Sequence, residues 1–176
     1  MKRWKRLLRK LKRKTLFPLI KIINRQKFDR AFYQFLRQGG VVMPEEPYFI
    51  SDDVFLDDVG WDKITIEKDV TISKGVSILI HDFSISKPIE LNESNVRRAY
   101  LIAPVYLKEG CFIGANTMIL PGTIVGKNTI VGAGSVIKGN IPDNVVIAGN
   151  PAKVIRTIDE YYQRIKGMPT DSVYRV

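Results

Sequence analysis

Residues 107–137 decide the fold of this protein, and they read LKEGCFIGANTMILPGTIVGKNTIVGAGSVI. An apolar residue recurs at every sixth position of this stretch. The series is Leu107, Ile113, Ile119, Val125, Val131 and Ile137. Small or β-branched residues form a second series, two positions before the next apolar member: Cys111, Thr117, Thr123, Thr129 and Ser135. A period of six fits neither an α-helix, which has about 3.6 residues per turn, nor a simple alternating strand.

The period of six predicts a coil of short β-strands joined by tight corners, in a mainly β protein. The apolar residue of each hexapeptide points inward, the small residue fits the corner beside it, and three hexapeptides close one turn. A single coil cannot bury its apolar face, so the coils must stack and the ends must be capped. The same phase appears earlier at Ile66, Ile72 and Ile78, and the register holds over residues 64–82 and 102–152.

The repeats resemble those of the hexapeptide-repeat acyltransferases, and most of all the branch of galactoside, maltose and polysaccharide O-acetyltransferases. The resemblance covers about residues 48–160. The strings that carry it include Ile113-Gly114-Ala115-Asn116, Ile119-Leu120-Pro121-Gly122, Val131-Gly132-Ala133-Gly134-Ser135-Val136 and Ala148-Gly149-Asn150-Pro151-Ala152-Lys153-Val154-Ile155. The resemblance implies a left-handed parallel β-helix, an exception to the usual right-handed crossover. It also implies a homotrimer with active sites between adjacent subunits.

The pattern divides the chain into three parts. A basic amphipathic helical arm is expected over residues 1–40, the β-helix domain over residues 41–156, and a helix and tail over residues 157–176. The hexad phase is lost in residues 83–101, which predicts a loop extruded from a coil. At the C-terminal end, Thr157 is the expected N-cap of a helix that closes the solenoid. Its buried stripe is expected to be Ile158, Tyr161 or Tyr162, and Ile165.

The chain contains one histidine, His81, at the point where the loop leaves the coil. Its position matches the catalytic histidine of the family that the chain resembles. A hydroxyl that attacks a thioester needs a base with a pKa near neutrality, which suits one imidazole. We therefore expect His81 to be the general base for direct attack on acetyl-CoA. A single histidine also argues against the carbonic anhydrase relatives of this fold, whose metal is held by several histidines, and no metal is expected.

Carboxylates and arginines near His81 are the next candidates. Asp82 is expected to orient the imidazole or the acceptor, although a plain turn role is equally compatible with the sequence. Asp53, Asp57 and Asp58 on the preceding turn are further candidates for this role. The residues expected to bind the acceptor are Asp53, Asp57, Arg97 and Arg98.

Cys111 is the only other candidate nucleophile. It occupies the small-residue position of a hexapeptide, like Thr117 and Thr123, which predicts a buried core thiol. A cysteine nucleophile also needs its own base, and the one histidine is already assigned.

The resemblance also implies where acetyl-CoA, the expected co-substrate, binds. Small alanines let a pantetheine arm lie close to the backbone, and the cations of Lys153 and Arg156 suit phosphates. The positions that match the CoA groove are Ala115, Ala133, Lys138, Gly139, Lys153 and Arg156.

Positive charge is concentrated at the N-terminus. The chain holds 28 Lys and Arg against 18 Asp and Glu, and residues 1–30 contain 13 of the basic residues and one acidic residue. An apolar stripe at helical spacing runs through this segment, which favours an anionic membrane as the partner of residues 2–23. A protein-docking arm is the alternative, and no nucleic acid is expected. The stripe comprises Trp4, Leu7, Leu8 and Leu11.

A second apolar stripe, formed by Phe28, Phe32, Phe35 and Leu36, predicts a helix that docks on the body and ends at Gly39-Gly40. No apolar run approaches the roughly 20 residues of a membrane span. The expected location is therefore cytoplasmic and peripheral, on the inner face of the cell membrane.

Together these features predict an acetyl-CoA-dependent O-acetyltransferase whose acceptor is a carbohydrate hydroxyl, in a surface polysaccharide or a lipid-linked glycan precursor. Two alternatives stay open. One is an N-acetyltransferase acting on an amino sugar, and the other is a non-catalytic solenoid adaptor.

Overall fold

The computed structural model describes residues 21–22 and 24–169. The membrane helix expected over residues 2–23 therefore lies almost entirely outside the described residues, as does the tail from residue 170. None of the helices in residues 21–22 and 24–169 has the length and hydrophobicity of a membrane span.

The described chain is a parallel β-helix with a helix before it and a hairpin and helix after it. The helices are α1 (Arg25–Gly39), α2 (Ser86–Asn92) and α3 (Ile158–Lys166), and a 3-10 turn covers Trp61–Lys63. The strands are β1 (Phe49–Ile50), β2 (Phe55–Leu56), β3 (Ile64–Ile66), β4 (Thr71–Ile72), β5 (Ser77–Ile78), β6 (His81–Asp82), β7 (Leu101–Ile102), β8 (Val105–Leu107), β9 (Phe112–Ile113), β10 (Met118–Ile119), β11 (Ile124–Val125), β12 (Ile130–Val131), β13 (Val136–Ile137), β14 (Asn140–Ile141), β15 (Val145–Gly149) and β16 (Ala152–Thr157).

The strands form three faces, because each coil contributes one strand to each face. The first face has the order β1-β4-β9-β12-β15-β16, the second β13-β10-β5-β2 and the third β14-β11-β8-β3. Neighbouring strands within a face are parallel, except for β15 and β16. The stacked short strands joined by tight corners are those that the hexad period predicts.

The inward residues of successive coils stack on one another. Ile113, for example, lies between Ile72 and Val131 on the first face. Every member of the main apolar series is buried, and none exposes more than 1% of its surface. Burial of an aliphatic side chain stabilises a fold by about 1.5–3 kcal/mol, so these columns are the main stabilising feature of the coil.

The small residues of the second series are buried at the corners, where their hydroxyls need partners. Backbone carbonyls supply them. Thr123 donates to the Leu120 carbonyl at 2.6 Å, and Ser135 donates to that of Gly132 at 2.6 Å. A threonine or serine therefore fits the corner both by size and by hydrogen bonding.

Helix α1 covers the first coil. Asn24 caps it by accepting from the Lys27 amide at 2.9 Å, and Gly40 ends it with a φ of 117°. Its apolar stripe is buried in the core, as its spacing predicts. Its members are Phe28, Phe32, Phe35 and Leu36.

Polar groups of α1 also reach the backbone of the first coil. The Tyr33 hydroxyl accepts from the Ile50 amide at 3.3 Å. The Arg37 guanidinium donates to the carbonyls of Met43 and Glu45, both at 3.0 Å. Residues 25–39 thus pack as part of the β-helix core, so the expected boundary at residue 40 does not separate an arm from the body.

The segment expected as an irregular loop has a defined structure. Strands β6 and β7 pair antiparallel at its base, and helix α2 follows directly. The Ser86 hydroxyl donates to the Ala99 carbonyl at 2.6 Å and accepts the Ala99 amide at 2.7 Å, which closes the segment above the ribbon. The hexad phase is lost here because the chain leaves the coil as an antiparallel ribbon.

The C-terminal end differs from the expectation in two ways. Strand β16 runs antiparallel to β15, so residues 152–157 form a hairpin instead of continuing the coil. Helix α3 begins after Thr157, whose hydroxyl accepts from the Glu160 amide at 3.1 Å, so the predicted N-cap is confirmed. The expected buried stripe is wrong, however. No residue of α3 is buried in the single chain, and Tyr162 exposes 53% of its surface.

Two glycines provide a test of the coil spacing. A Cβ at Gly114 lies 2.5 Å from the Ala133 amide nitrogen and 2.6 Å from the Val131 carbonyl oxygen of the next coil. We therefore expect Gly114→Ala to lower the free energy of unfolding by about 3 kcal/mol, because the coils must move apart. Gly134→Ala is the matched control. Its Cβ meets no atom within 4 Å, and only its φ of 70° carries a cost, of about 1 kcal/mol.

Urea denaturation followed by circular dichroism measures both glycine variants. Equal losses of stability in Gly114→Ala and Gly134→Ala would contradict the close coil contact at Gly114.

Candidate active site

His81 contacts a buried carboxylate, that of Asp57. Its Nδ1 meets Oδ2 of Asp57, which exposes only 3% of its surface. The same oxygen accepts the backbone amides of Ile80 at 3.1 Å and His81 at 3.2 Å. Oδ1 accepts the Val59 amide at 3.3 Å. The carboxylate is therefore fixed by three amides before it meets the imidazole.

The contact favours one tautomer of the imidazole. When Nδ1 donates to the carboxylate, the neutral ring carries its lone pair on Nε2. The His81 side chain is 27% exposed, so it is partly accessible to solvent. A neutral imidazole oriented by a buried carboxylate has the arrangement of a general base.

The coil stacking explains how residues so distant in sequence meet. Strand β2 pairs with β5, and the Asp57 amide donates to the Ile78 carbonyl at 3.0 Å. The residue that follows β2 therefore lies against the residues that follow β5. Asp57, expected to bind the acceptor, is placed by this register beside the imidazole.

Asp82 bonds to the turn that follows it, whereas a role in orienting the imidazole requires a contact with His81. Its Oδ1 accepts the Ser84 amide at 2.8 Å. Hydrogen bonds from the Ser84 side chain and amide hold the pKa of Asp82 below its usual range, and the positive charge of Lys138 adds to this effect. Asp82 thus ends β6, and its carboxylate accepts from the turn that follows. The structure records the imidazole contact for Asp57.

The residues expected to bind CoA divide between two edges of the β-helix. Lys138 and Gly139 follow strand β13 at the edge where His81 also lies, and we call this the histidine edge. Ala115 and Ala133 lie on adjacent coils at the preceding edge, where the Ala115 carbonyl accepts the Gly134 amide at 2.8 Å. We call this second edge the alanine edge.

The two remaining cations lie on the terminal hairpin. Lys153 pairs with Ala148, which lies against Gly132 near the alanine edge. Arg156 pairs with Val146 on the first face. The second face separates the alanine edge from the histidine edge, so one chain does not bring all six expected residues together.

The other expected acceptor residues lie apart from the imidazole contact. Asp53 accepts from the Ser51 hydroxyl at 2.6 Å and from the Gly75 amide at 3.1 Å, at the corner after β1. Arg97 and Arg98 are exposed, between α2 and β7. Of the four expected acceptor residues, Asp57 alone has a recorded contact with His81 in the described chain.

Two aromatic rings beside the imidazole are not singled out by the hexad pattern. The Phe83 ring meets the His81 ring edge-on at a centroid distance of 5.1 Å, and Tyr100 lies 5.2 Å from Phe83. Both rings adjoin the antiparallel pair of residues 81–82 with residues 101–102, and the sequence alone did not show this pairing.

Cys111 is fully buried, in the corner position that the repeat predicts. Burial raises the pKa of its thiol to about 12. The thiol is therefore protonated at neutral pH, which fits a packing role and does not fit a nucleophile. Among the residues that the structure describes, no group of three or more His, Cys, Asp or Glu side chains is arranged to hold a metal ion.

Comparison with known proteins agrees with this architecture. Residues 104–139 match the family model described as bacterial transferase hexapeptide (six repeats). The solved galactoside acetyltransferase in complex with coenzyme A superposes with a TM-score of 0.63 at 22% identity, covering 96% of this chain and 88% of that one. A maltose O-acetyltransferase from Clostridium difficile 630 gives a TM-score of 0.54 at 25% identity, covering 71% and 73%. Residues 104–139 thus carry the hexapeptide repeat, and the predicted left-handed parallel β-helix is confirmed as the fold.

Similarity in sequence extends to curated proteins. Protein CapG of Staphylococcus aureus is 43% identical over 106 residues, which cover 58% of this chain and 57% of that protein. The putative lipopolysaccharide biosynthesis O-acetyl transferase WbbJ of Escherichia coli (strain K12) is 31% identical over 118 residues, covering 61% and 59%. The chain thus spans a little more than half the length of these relatives. These proteins and the solved structures are similar to this chain, and their names describe those proteins.

Proposed function

We propose that this protein is an acetyl-CoA-dependent O-acetyltransferase that acts on a carbohydrate hydroxyl. The observation that carries the proposal is the contact between the His81 imidazole and the buried Asp57 carboxylate, at an edge of a hexapeptide-repeat helix. Its support is twofold. The pair has the arrangement of a general base, and the similar galactoside and maltose enzymes bear names that join acetyl transfer to sugars.

In this mechanism His81 first accepts a proton from the acceptor and then donates it to the sulfur of CoA. Nε2 takes the proton of the acceptor hydroxyl as that oxygen bonds to the acetyl carbonyl carbon. Asp57 stabilises the imidazolium that results, because its carboxylate already faces Nδ1. Nε2 then gives the proton to sulfur as the thioester bond breaks, which yields an acetyl ester and the free thiol of CoA. No covalent intermediate on the protein is needed.

The chain also offers groups that fit the donor substrate. Lys138, Lys153 and Arg156 supply cations for phosphates, and the small side chains of Ala115 and Ala133 leave space for a pantetheine arm. Lys138 lies close enough to Asp82 to lower the pKa of that carboxylate, so a cation is present at the histidine edge itself.

The proposed assembly is a homotrimer with a site between adjacent subunits. Its support is the division of the expected CoA residues, since Lys138 lies at the histidine edge while Ala115 and Ala133 lie at the alanine edge. Packing the histidine edge of one subunit against the alanine edge of the next brings the expected CoA-binding residues of both edges together. Outward apolar side chains on the repeat faces suit such packing, with Phe112 41% and Met118 40% exposed in the single chain.

The proposed acceptor is a surface polysaccharide or a lipid-linked glycan precursor at the inner face of the membrane. The name of the similar Escherichia coli protein refers to lipopolysaccharide biosynthesis. The basic segment at residues 2–23 is suited to an anionic surface, and three such segments in a trimer would multiply weak contacts. Arg97, Arg98 and Asp53 are proposed acceptor contacts.

The general-base assignment is tested by three substitutions in the full chain. His81→Ala is expected to lower kcat by about 100-fold or more, because the attacking hydroxyl loses its base. Asp57→Asn is expected to cost at least about 100-fold as well, since the amide fails to hold the productive tautomer. Asp82→Asn, whose carboxylate caps a turn, is expected to cost much less.

Release of free thiol from acetyl-CoA, measured with a panel of sugar acceptors, reads out all three variants. The panel includes amino sugars, so product analysis separates O-acetylation from N-acetylation. Near-normal turnover by His81→Ala would contradict the role of His81 as the general base. A larger loss in Asp82→Asn than in Asp57→Asn would overturn the assignment of the orienting carboxylate.

The shared site is tested by mixing inactive chains. His81→Ala damages the histidine edge and Lys153→Ala damages the hairpin near the alanine edge, so refolding the two chains together should give trimers in which some interfaces have both edges intact. At equal mixing about a quarter of the interfaces are intact, and activity at low acetyl-CoA should rise above that of either parent. Sedimentation equilibrium gives the oligomeric state. A monomer, or a mixture no more active than the average of the parents, would contradict a site between subunits.

Membrane attachment is tested by sedimentation with anionic lipid vesicles. The full chain is expected to sediment with vesicles that contain phosphatidylserine and to be released by salt, because the attraction is electrostatic. A chain that begins at Asn24 keeps α1, which packs in the core, and should stay in the supernatant. Equal sedimentation of the two chains would remove the membrane proposal.

A further inference from the structure

The ribbon formed by β6 and β7 presents one continuous face beside the proposed base. His81 pairs with Ile102, and Asp82 pairs with Leu101. Phe83 directly follows β6 and Tyr100 directly precedes β7, at the outer end of the ribbon. Side chains two residues apart on a strand lie on the same side, and so do directly opposed residues. His81 and Ile102 therefore share one face of the ribbon, and the ring contacts of His81 with Phe83 and of Phe83 with Tyr100 place these two aromatic side chains beside the same face.

Ring geometry agrees with this arrangement. The Phe83 ring stands edge-on to the imidazole, with the ring planes at 81°, and the Tyr100 ring is tilted by 45° to that of Phe83. These aromatic side chains are open to solvent, Phe83 by 55% and Tyr100 by 54%. Two large rings left exposed beside a partly buried base form an apolar surface that water solvates poorly, which is characteristic of a ligand-contact surface.

Hydrogen bonds fix the backbone beside these rings. The Ser86 amide donates to the Phe83 carbonyl at 3.0 Å, and the Ser86 hydroxyl bonds both backbone groups of Ala99. Both rings thus adjoin residues tied by backbone hydrogen bonds, directly above the ribbon. Backbone fixed in this way loses little conformational entropy when a ligand binds to the rings.

We propose that Phe83 and Tyr100 form the platform on which a pyranose ring of the acceptor rests while one of its hydroxyls faces Nε2 of His81. This inference rests on the proposed function. A pyranose has a face of C–H groups and a rim of hydroxyls. The C–H face suits the negative face of an aromatic ring, and the rim reaches the imidazole beside it. The platform favours acceptors that contain a ring with an apolar face. It does not contact acetyl-CoA.

The test compares aromatic truncation with ring-preserving changes in the full-length protein. Phe83→Ala and Tyr100→Ala are each expected to raise the KM for the best methyl glycoside of a panel about 10-fold, the loss expected for one aromatic contact with its buried area. Phe83→Trp and Tyr100→Phe keep a ring and should stay within about threefold of the wild type. Tyr48→Ala, which removes a ring 76% exposed next to β1, is the matched control.

Two further measurements separate a platform from a structural role. The KM for acetyl-CoA and the pH profile of kcat/KM should stay as in the wild type, because the donor and the base are not altered. Sedimentation should show the same oligomeric state. An acceptor KM that does not change in either alanine variant would overturn the inference. A parallel rise in the KM for acetyl-CoA, or a changed oligomeric state, would also overturn it, because the rings would then serve the donor or the assembly.

Binding of the same methyl glycosides, followed by saturation-transfer NMR in the presence of CoA, keeps the two proposals distinguishable. Glycoside binding that is lost in Phe83→Ala, in a wild-type protein that transfers no acetyl group, contradicts the proposed function and supports the platform. Acetyl transfer to a glycoside with equal binding by all variants supports the function and contradicts the platform. A wild-type protein that binds no glycoside contradicts both.

Discussion

The rest of the structure depends on the close stacking of one coil on the next. Parallel strands in a sheet lie about 4.8 Å apart, and the corners must keep the same spacing. Gly114 shows how tight this is, since its Cα faces the backbone of residues 131–133 with no space for a Cβ. The buried columns, the corner hydroxyls and the contact between Asp57 and His81 all follow from this register. The register determines which residue of the coil above or below lies against a given residue.

Those parts of the fold that repeat could be predicted from the sequence. Every inward residue of the main series is buried, and Thr117, Thr123, Thr129 and Ser135 occupy the corners with their hydroxyls bonded to carbonyls. The hexad carries this information because each position has one environment that recurs along the helix. The amphipathic helix α1 was equally clear, since its aromatic residues recur at helical spacing.

The parts that break the repeat could not be predicted in the same way. Leu56 pairs with Ile78, which lies four residues beyond three hexapeptides, because the 3-10 turn and its neighbours lengthen the first coil. The count of residues therefore gave no sign that Asp57 meets His81, and Asp82 is favoured only by adjacency in sequence. The prediction that the tyrosines of α3 are buried is wrong for another reason. Amphipathic spacing shows that a helix has an apolar side, and it does not show whether the same chain covers it.

Helix α1 has a consequence for how these molecules behave toward one another. A parallel β-helix has two open ends, and each is a row of unpaired amides and carbonyls on which a further chain can pair. At the first coil, the Tyr33 hydroxyl and the Arg37 guanidinium occupy such groups on Ile50, Met43 and Glu45. At the other end, the reversal of β16 replaces the parallel edge by a hairpin. Pairing of a further chain along the first face is thereby opposed at both ends of the β-helix.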